Sequence, residues 1–594
     1  MRKALLALIA LSVVWALAVA LTGGIDFRPY GIPFKSTDPD RASYLVLVLV
    51  FVYGAVFRGR APTHVSWIED RGQWLARMVE RRAVAIALAL SAVVCALGVV
   101  YGAHAAGGSD SYGYISQADL WLAGDLVTEQ PIAREVPWPD ARWTLTPLGY
   151  RPTEDGRAIV PTYSYGLPVL MAAAKLVAGM CGLYLVTPLL GALMVGMTYL
   201  LGAQLWSPAI GVVAAALMAT SPTFLFMQMN PMSDVPVSGV FTAALAIALS
   251  RRRAAAFWTG VMVSLAIFIR PNLVPLGAIV LAWFVVRAAG WRDRLREAIW
   301  FGVGGFPLVA AVAVTNALVH GSPLSSGYGS LDGYYAWSHV WPNVKQFGAW
   351  LLGSETPFVL LFVVPLVLLR RLDREPRSRV LLVALFGAGV WGCYLFYTPY
   401  DAWWYLRFLL PAFPPMLVLA AIGLRRALGR LGSSQRAIVF GGVILAVLAA
   451  RIDRVREENI LGLWEGGVVY TTAAEYVRKE LPPNAVILTV QHSGSMRYYA
   501  DRLTVRWDWI GPEWWPRALE VLRQMGYRPY LLVSRFEEAQ LRRRFSFGPN
   551  EDAPGTIMAD SLHPHGVVLY DPLREYSGPR RRMPSVVSCP CTPE

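Results

Sequence analysis

Charged residues are scarce in this chain of 594, at 16%, while hydrophobic residues make up 55%. Soluble domains carry about a quarter charged residues, so the composition excludes an ordinary water-soluble globular protein of this length. Many apolar runs instead approach the roughly 20 residues needed to cross a bilayer. The class that remains is a polytopic α-helical membrane protein. Cysteine is scarce too, with five in all. Cys95, Cys181 and Cys393 lie in apolar runs, where a small buried hydrophobe is the expectation. Cys589-Pro590-Cys591 supplies too few ligands for a structural zinc site and reads as a redox-active pair or, in preference, as part of a frayed tail. No internal repeat of the kind many transporters carry is visible. The net charge of +14 makes no case for nucleic acid. The arginines gather in short clusters between apolar runs, which is the pattern of cytoplasmic loops.

Those clusters orient the chain. Arg2 and Lys3 precede an apolar run over 4–22, read as a signal peptide or an uncleaved first helix that leads outward. A span over 43–57 returns to a basic inside loop with Arg58, Arg60, Arg71, Arg77, Arg81 and Arg82. The run over 83–105 then crosses outward and sets Asp110 on the outer face. Further spans fit 183–203, 208–227, 233–250, 254–270, 273–289, 299–318, 349–369, 380–397, 407–424 and 436–451. That gives about 13 transmembrane helices, with the N-terminus cytoplasmic if uncleaved and the C-terminus outside. The count requires residues 165–179, with Pro168 and Lys175, to lie at the outer interface. Arg451, Arg454 and Arg456 resist it, since they follow the last span on the outer side.

The domain reading has four parts. Residues 1–82 hold two N-terminal helices and a basic loop, and 83–454 form the core with an outer loop over 106–182. Over 455–576 the composition shifts. "TTAAEYVRKELPPNAVILTVQHSG" reads as helix, turn and β-branched strand, and "RALEVLRQMGYRPYLLVSR" repeats that order. A small extracytoplasmic α/β domain follows from the alternation. The stretch from 577 to 594 reads as disordered.

Chemistry-bearing residues cluster at the outer face. In "GGSDSYGYISQADLWLAGDL" the residues Tyr114, Ile115, Ala118, Trp121 and Leu122 recur at helical spacing. The spacing predicts an amphipathic helix lying on the membrane surface, with Ser109 or Asp110 as its cap. Gly107-Gly108 before it allows the close approach of another molecule. In "MQMNPMSDVPVSG" the acid Asp234 stands between Pro231 and Pro236, which interrupt helix geometry. Arg270 in "IFIRPNLVPLG" is a charge near membrane depth, a functional candidate by default. Arg407, in "YDAWWYLRFLLPAFPP", lies beside an aromatic cluster. Guanidinium groups grip phosphate bidentately, so both arginines suit a lipid phosphate. The loop over 320–343 is rich in Tyr, Trp, Gly and Ser, as suits a sugar. Its His320 and His339 lack a spacing that would support a metal.

Four stretches in order, "GSDSYGYISQADLWLAGDL", "SPTFLFMQMNPMSDVP", "FIRPNLVPL" and "WWYLRFLLPAFPPMLVLA", resemble bacterial membrane glycosyltransferases of the GT-C superfamily. Relatives there include the protein O-mannosyltransferases (glycosyltransferase family 39) and the aminoarabinose transferase of lipid A. The resemblance covers roughly residues 83–425. It implies a GT-C-like core and an inverting hexosyl- or pentosyltransferase that uses a polyprenyl-phosphate-sugar donor in the cell inner or plasma membrane. The acceptor is a lipid, glycan or protein, the bilayer is a partner, and nucleic acid is not. It further implies Asp110 as catalytic base, Asp234 as a second catalytic acid, and Arg270 and Arg407 as the phosphate clamp. Tyr112, Tyr114, Asn272 and Tyr328 are candidate substrate-binding residues beside them. No cofactor is expected, although the two acids leave room for a divalent metal. Asp-Ser-Tyr stands where the protein mannosyltransferases have an Asp-Glu pair, a departure that argues against protein and mannose. The alternatives are a multi-pass transporter or lipid flippase, with acids at the midplane and internal symmetry, and a non-catalytic lipid- or glycan-binding scaffold.

Overall fold

A computed structural model describes residues 2–27, 34–36, 39–57, 63–250, 252–547, 554–561 and 566–584. Arg58, Arg60, Arg251 and the Cys589-Pro590-Cys591 stretch lie outside them. The apolar runs are helices, as lipid demands when every backbone polar group must be satisfied within its own segment. Among the described residues, six helices are long and apolar enough to cross a membrane, or eight if two sharply bent pairs are single spans. Four more, Arg41–Val56, Asp234–Ala248, Ala255–Ile269 and Pro271–Arg287, are apolar but shorter. The chain is thus a polytopic helical membrane protein.

The long helix Gly166–Leu205 breaks at Ala178 and Gly179, where Gly179 takes a φ of 60°. The break falls between the expected interfacial segment and the next span. Beyond it Gly182 packs onto the carbonyl of Ala174, so the chain bends sharply back. Leu176 and Val177 at the bend are exposed. Cys181 just past it is disulfide-bonded, which corrects its reading as a small buried hydrophobe.

The three resisting arginines are engaged within the protein. Arg451 is fully buried and pairs with Glu355 at 2.9 Å. Arg454 pairs with Glu457 and Glu458, and the Arg456 guanidinium lies against Gly23.

The helix–turn–strand order of the C-terminal third is present. Helix Leu463–Glu480 leads into strand Ala485–Leu488, and helix Trp515–Gln524 into strand Arg528–Ser534. Six strands make one sheet, in the order 581–582, 556–560, 567–571, 528–534, 485–488, 503–505. The 485–488 strand runs parallel to both its neighbours, whereas 567–571 is antiparallel to 528–534 and 556–560. Residues 581–582, expected in a disordered tail, pair with the 556–560 strand instead. Arg580 pairs with Asp560, and Arg581 with Glu480, which holds that end in place.

The 106–182 loop and this sheet share one core. Ala133, Val136, Trp138 and Leu145 pack with Val486, Leu488, Val505 and Trp507. Arg497 ties the two together, donating to Gln130, Leu145 and Thr504. Between sheet and membrane helices lies Asp110–Ala123, buried from Tyr112 through Ala118. It forms where expected, but its middle is enclosed by protein on both faces rather than half wet. Its Asp119 accepts from Lys175 on one side and from Tyr498 of the C-terminal unit on the other. Covered on both sides, even Gln117 is fully buried.

Candidate active site

Both acids open a helix. Asp110 is the first residue of Asp110–Ala123, and Asp234 of Asp234–Ala248. The positive end of each macrodipole favours a carboxylate there. Ser109 takes the cap position, one of the two expected, but its side chain makes no cap bond, and Asp110 is the first residue inside the helix. Arg270 closes helix Ala255–Ile269, where a cation is equally favoured. Pro271 ends that helix, since the residue before a proline prefers an extended backbone, and Arg270 adopts φ −146°, ψ 89°. Arg407 comes from the 3-10 segment Trp403–Ala412.

These four side chains form one alternating chain of charge. Arg407 Nη1 donates to Asp110 Oδ2 at 3.0 Å and lies 3.9 Å from Asp234 Oδ2. Arg270 Nη2 lies 2.9 Å from Asp234 Oδ1. Tyr163 donates to Asp110 Oδ1. Burial pushes the Tyr163 hydroxyl well above its usual range, and the Asp110 charge beside it adds to that, so it stays a donor. Ser233 accepts from Tyr114 at 2.8 Å and from Arg270 at 3.0 Å. Arg407 also stands over the rings of Tyr405 and Phe408.

Apart from Ser233, these residues line a cavity of about 620 Å³. The two acids differ sharply in access, since the Asp110 side chain is 27% exposed and that of Asp234 only 1%. Asp110 is therefore open to the cavity, whereas Asp234 is enclosed and bridges the two arginines.

Of the other sequence candidates, Tyr114 and Tyr328 line the cavity. Asn272 does not. It donates to the Tyr394 hydroxyl at 3.1 Å, which Arg270 also reaches, one layer behind the wall. Tyr112 is not in the wall either. It is buried beside Tyr150 and against Gly494, because the C-terminal unit covers that side of its helix. His339 Nδ1 sits 3.1 Å from the Phe396 carbonyl, and neither it nor His320 reaches the cavity. Among the described residues, no group of three or more His, Cys, Asp or Glu side chains is placed to hold a metal ion. A divalent cation between the two acids would compete with Arg407, which already contacts both.

Sequence reasoning missed the roof. Tyr470, Gln491, His492, Ser534 and Phe536 of the C-terminal unit line the same cavity. Gly107 and Gly108 do allow a close approach, but by this chain's own Tyr470 ring and Gln491 amide. A signal was present, because Gln491 and Ser534 stand at the carboxyl ends of the two strands the pattern predicted.

No family model matches the chain, and no curated protein matches it by sequence. By structure it is similar to ArnT from Cupriavidus metallidurans in two states. Bound to undecaprenyl phosphate, that protein is 13% identical with a TM-score of 0.50; in the apo state the figures are 12% and 0.51. Each likeness covers 84% of this chain and 99% of the other. An oligosaccharyltransferase from Archaeoglobus fulgidus, tethered with an acceptor peptide, is 13% identical at a TM-score of 0.45, over 82% of this chain and 74% of that one. The ArnT likeness shows the fold, which this chain shares with ArnT over most of both chains.

Proposed function

We propose that the chain is an integral-membrane glycosyltransferase that moves a hexosyl or pentosyl unit from a polyprenyl-phosphate donor to an acceptor hydroxyl on the outer side. The observation that carries this reading is the alternation Asp110, Arg407, Asp234, Arg270 at the floor of one cavity. The acceptor oxygen attacks the anomeric carbon and its proton passes to Asp110. The bond from that carbon to the phosphate oxygen breaks, and the lipid phosphate leaves with the electron pair. Direct displacement inverts the anomeric centre. Each carboxylate oxygen has more than one lone pair, so Asp110 can take a proton while Arg407 and Tyr163 hold its direction. The guanidinium groups stabilise the charge growing on the leaving phosphate. Asp234 is the positioning residue that keeps both arginines aimed.

Sidedness has two supports. The disulfide at Cys181 belongs to an oxidising compartment, and the arginine clusters fit about 13 crossings with the cavity facing out. ArnT was solved bound to undecaprenyl phosphate, the kind of lipid that the floor suits here. A flippase or transporter is the second reading. It would place its acids at the midplane between symmetric halves, whereas these stand at helix ends under a soluble roof.

Asp110→Asn tests the assignment. Transfer from a labelled polyprenyl-phosphate sugar is expected to fall about 10²- to 10⁴-fold, with donor binding retained. Wild-type transfer by this variant would remove Asp110 from the chemistry.

A further inference from the structure

The sheet of the C-terminal unit has a topological switch point. From the 485–488 strand the chain passes through helix Ser493–Ala500 to the 503–505 strand on one side. It then passes through helix Trp515–Gln524 to the 528–534 strand on the other. In open α/β sheets the ligand crevice lies outside the carboxyl ends of the strands where that reversal occurs. Here those ends carry Gln491 and His492 after one strand, and Ser534 as the last residue of the other with Phe536 just beyond it. All four line the cavity that holds Asp110. One buried carboxylate ties the two sides of the crevice together. Glu537 accepts from the Gln491 backbone N–H at 3.0 Å and from that of Ser534 at 3.1 Å.

Roof and floor differ in chemistry. The floor carries two carboxylates and two guanidinium groups, while none of the residues the C-terminal unit gives to the cavity is charged. What they present is an amide, hydroxyls and rings. The Gln491 amide donates to Tyr470 at 2.8 Å, the Tyr470 and His492 rings lie 4.6 Å apart, and Phe536 is 63% exposed. Amides and hydroxyls beside an exposed ring suit a neutral sugar, which offers hydroxyls on its edge and C–H groups on its face. They offer a phosphate or a carboxylate no cation.

We infer that the switch-point crevice formed by Gln491, Ser534 and Phe536 is the acceptor subsite, and that it takes an uncharged carbohydrate. The inference rests on the transferase reading, and it names the acceptor. Gly107 and Gly108 press against Tyr470 and Gln491 three and two residues before Asp110, so a sugar in the crevice presents its hydroxyl toward the base. Donor phosphate below and acceptor sugar above then meet across one cavity.

The test uses the full chain in nanodiscs on an array of neutral oligosaccharides, each free and lipid-tailed, beside phosphorylated counterparts and Ser/Thr peptides. Wild type and Asp110→Asn are expected to retain neutral oligosaccharides. Phe536→Ala and Gln491→Ala should weaken that retention on the order of tenfold, with undecaprenyl phosphate binding unchanged. The same two variants should raise the KM for acceptor and leave kcat near wild type. Phe536 is largely exposed, so its truncation leaves the core intact. Equal retention of free and tailed sugars supports a polysaccharide acceptor, and preference for tailed ones supports a glycolipid; both uphold the subsite. Retention of peptides or phosphorylated sugars alone, no retention by wild type, or retention untouched by both roof variants overturns it. If sugars bind as expected but Asp110→Asn transfers normally, the catalytic reading fails and the subsite stands.

Discussion

Asp234 and Glu355 are both 1% exposed, and each faces an arginine at 2.9 Å. Their surroundings differ. Glu355 sits where helix Val340–Glu355 gives way to a segment turned by 105°, close to a second break of 61° after Ala219. Its Oε1 accepts from Ser221 at 2.6 Å and Ser354 at 3.3 Å. Arg451 gives its donors to the carbonyls of Leu217 and Glu355, the kind of groups a broken helix leaves orphaned. That pair is closed on all sides and serves the bends. Asp234 instead shares Arg407 with Asp110, and both of its arginines line an open cavity. Burial and pairing alone therefore do not mark a site, and an arginine with a free edge on a cavity does.

Breaking each pair should separate structure from function. Glu355→Leu leaves Arg451 charged and unpaired at full burial, at a cost of about 3–5 kcal/mol. Thermal melting in detergent would show the loss, and adding Arg451→Met should recover much of it. Transfer per folded molecule should stay at wild type in the double variant. Inactivity there would mean the Glu355 junction also serves the chemistry. A smaller effect is expected from Arg407→Lys, which keeps the charge and loses the planar fork. Donor kcat/KM should fall by about tenfold, the equivalent of one charge-assisted hydrogen bond of roughly 1.5 kcal/mol, while the melting temperature moves little. Unchanged donor kinetics would take Arg407 off the phosphate.

The same contrast explains what the sequence disclosed. Apolar runs named most helices because lipid leaves the backbone few choices, and Arg270 stood out because a charge in such a run is costly. Glu355 and Arg451 were illegible as partners, since 96 residues separate them and only the two helix breaks bring them together. Asp110–Ala123 was legible as a helix but not as a covered one. Its polar residues meet Lys175 and Tyr498 from distant segments, and periodicity cannot tell those from water. The roof was half legible. The strands were predicted, but that they end over Asp110 depends on how Gly107 and Gly108 seat Tyr470 and Gln491.

The roof supplies the smallest effect and a pH test of its own. His492 is 2% exposed, beside the Tyr470 ring and 3.5 Å from the Ser495 hydroxyl, and burial pushes its pKa down to about 3. The folded protein thus keeps the imidazole neutral where an unfolded chain, near 6.5, would protonate it. The contribution is fully present above the unfolded value and is lost as pH falls from there toward about 3. At pH 5.5 the loss amounts to roughly 1.4 kcal/mol from this group. Melting of the full chain should therefore decline between pH 7 and pH 5, and His492→Gln should flatten that decline. Equal slopes in the two proteins would mean that the imidazole is hydrated in the folded state, and the roof of the cavity would then be wetter than its burial implies.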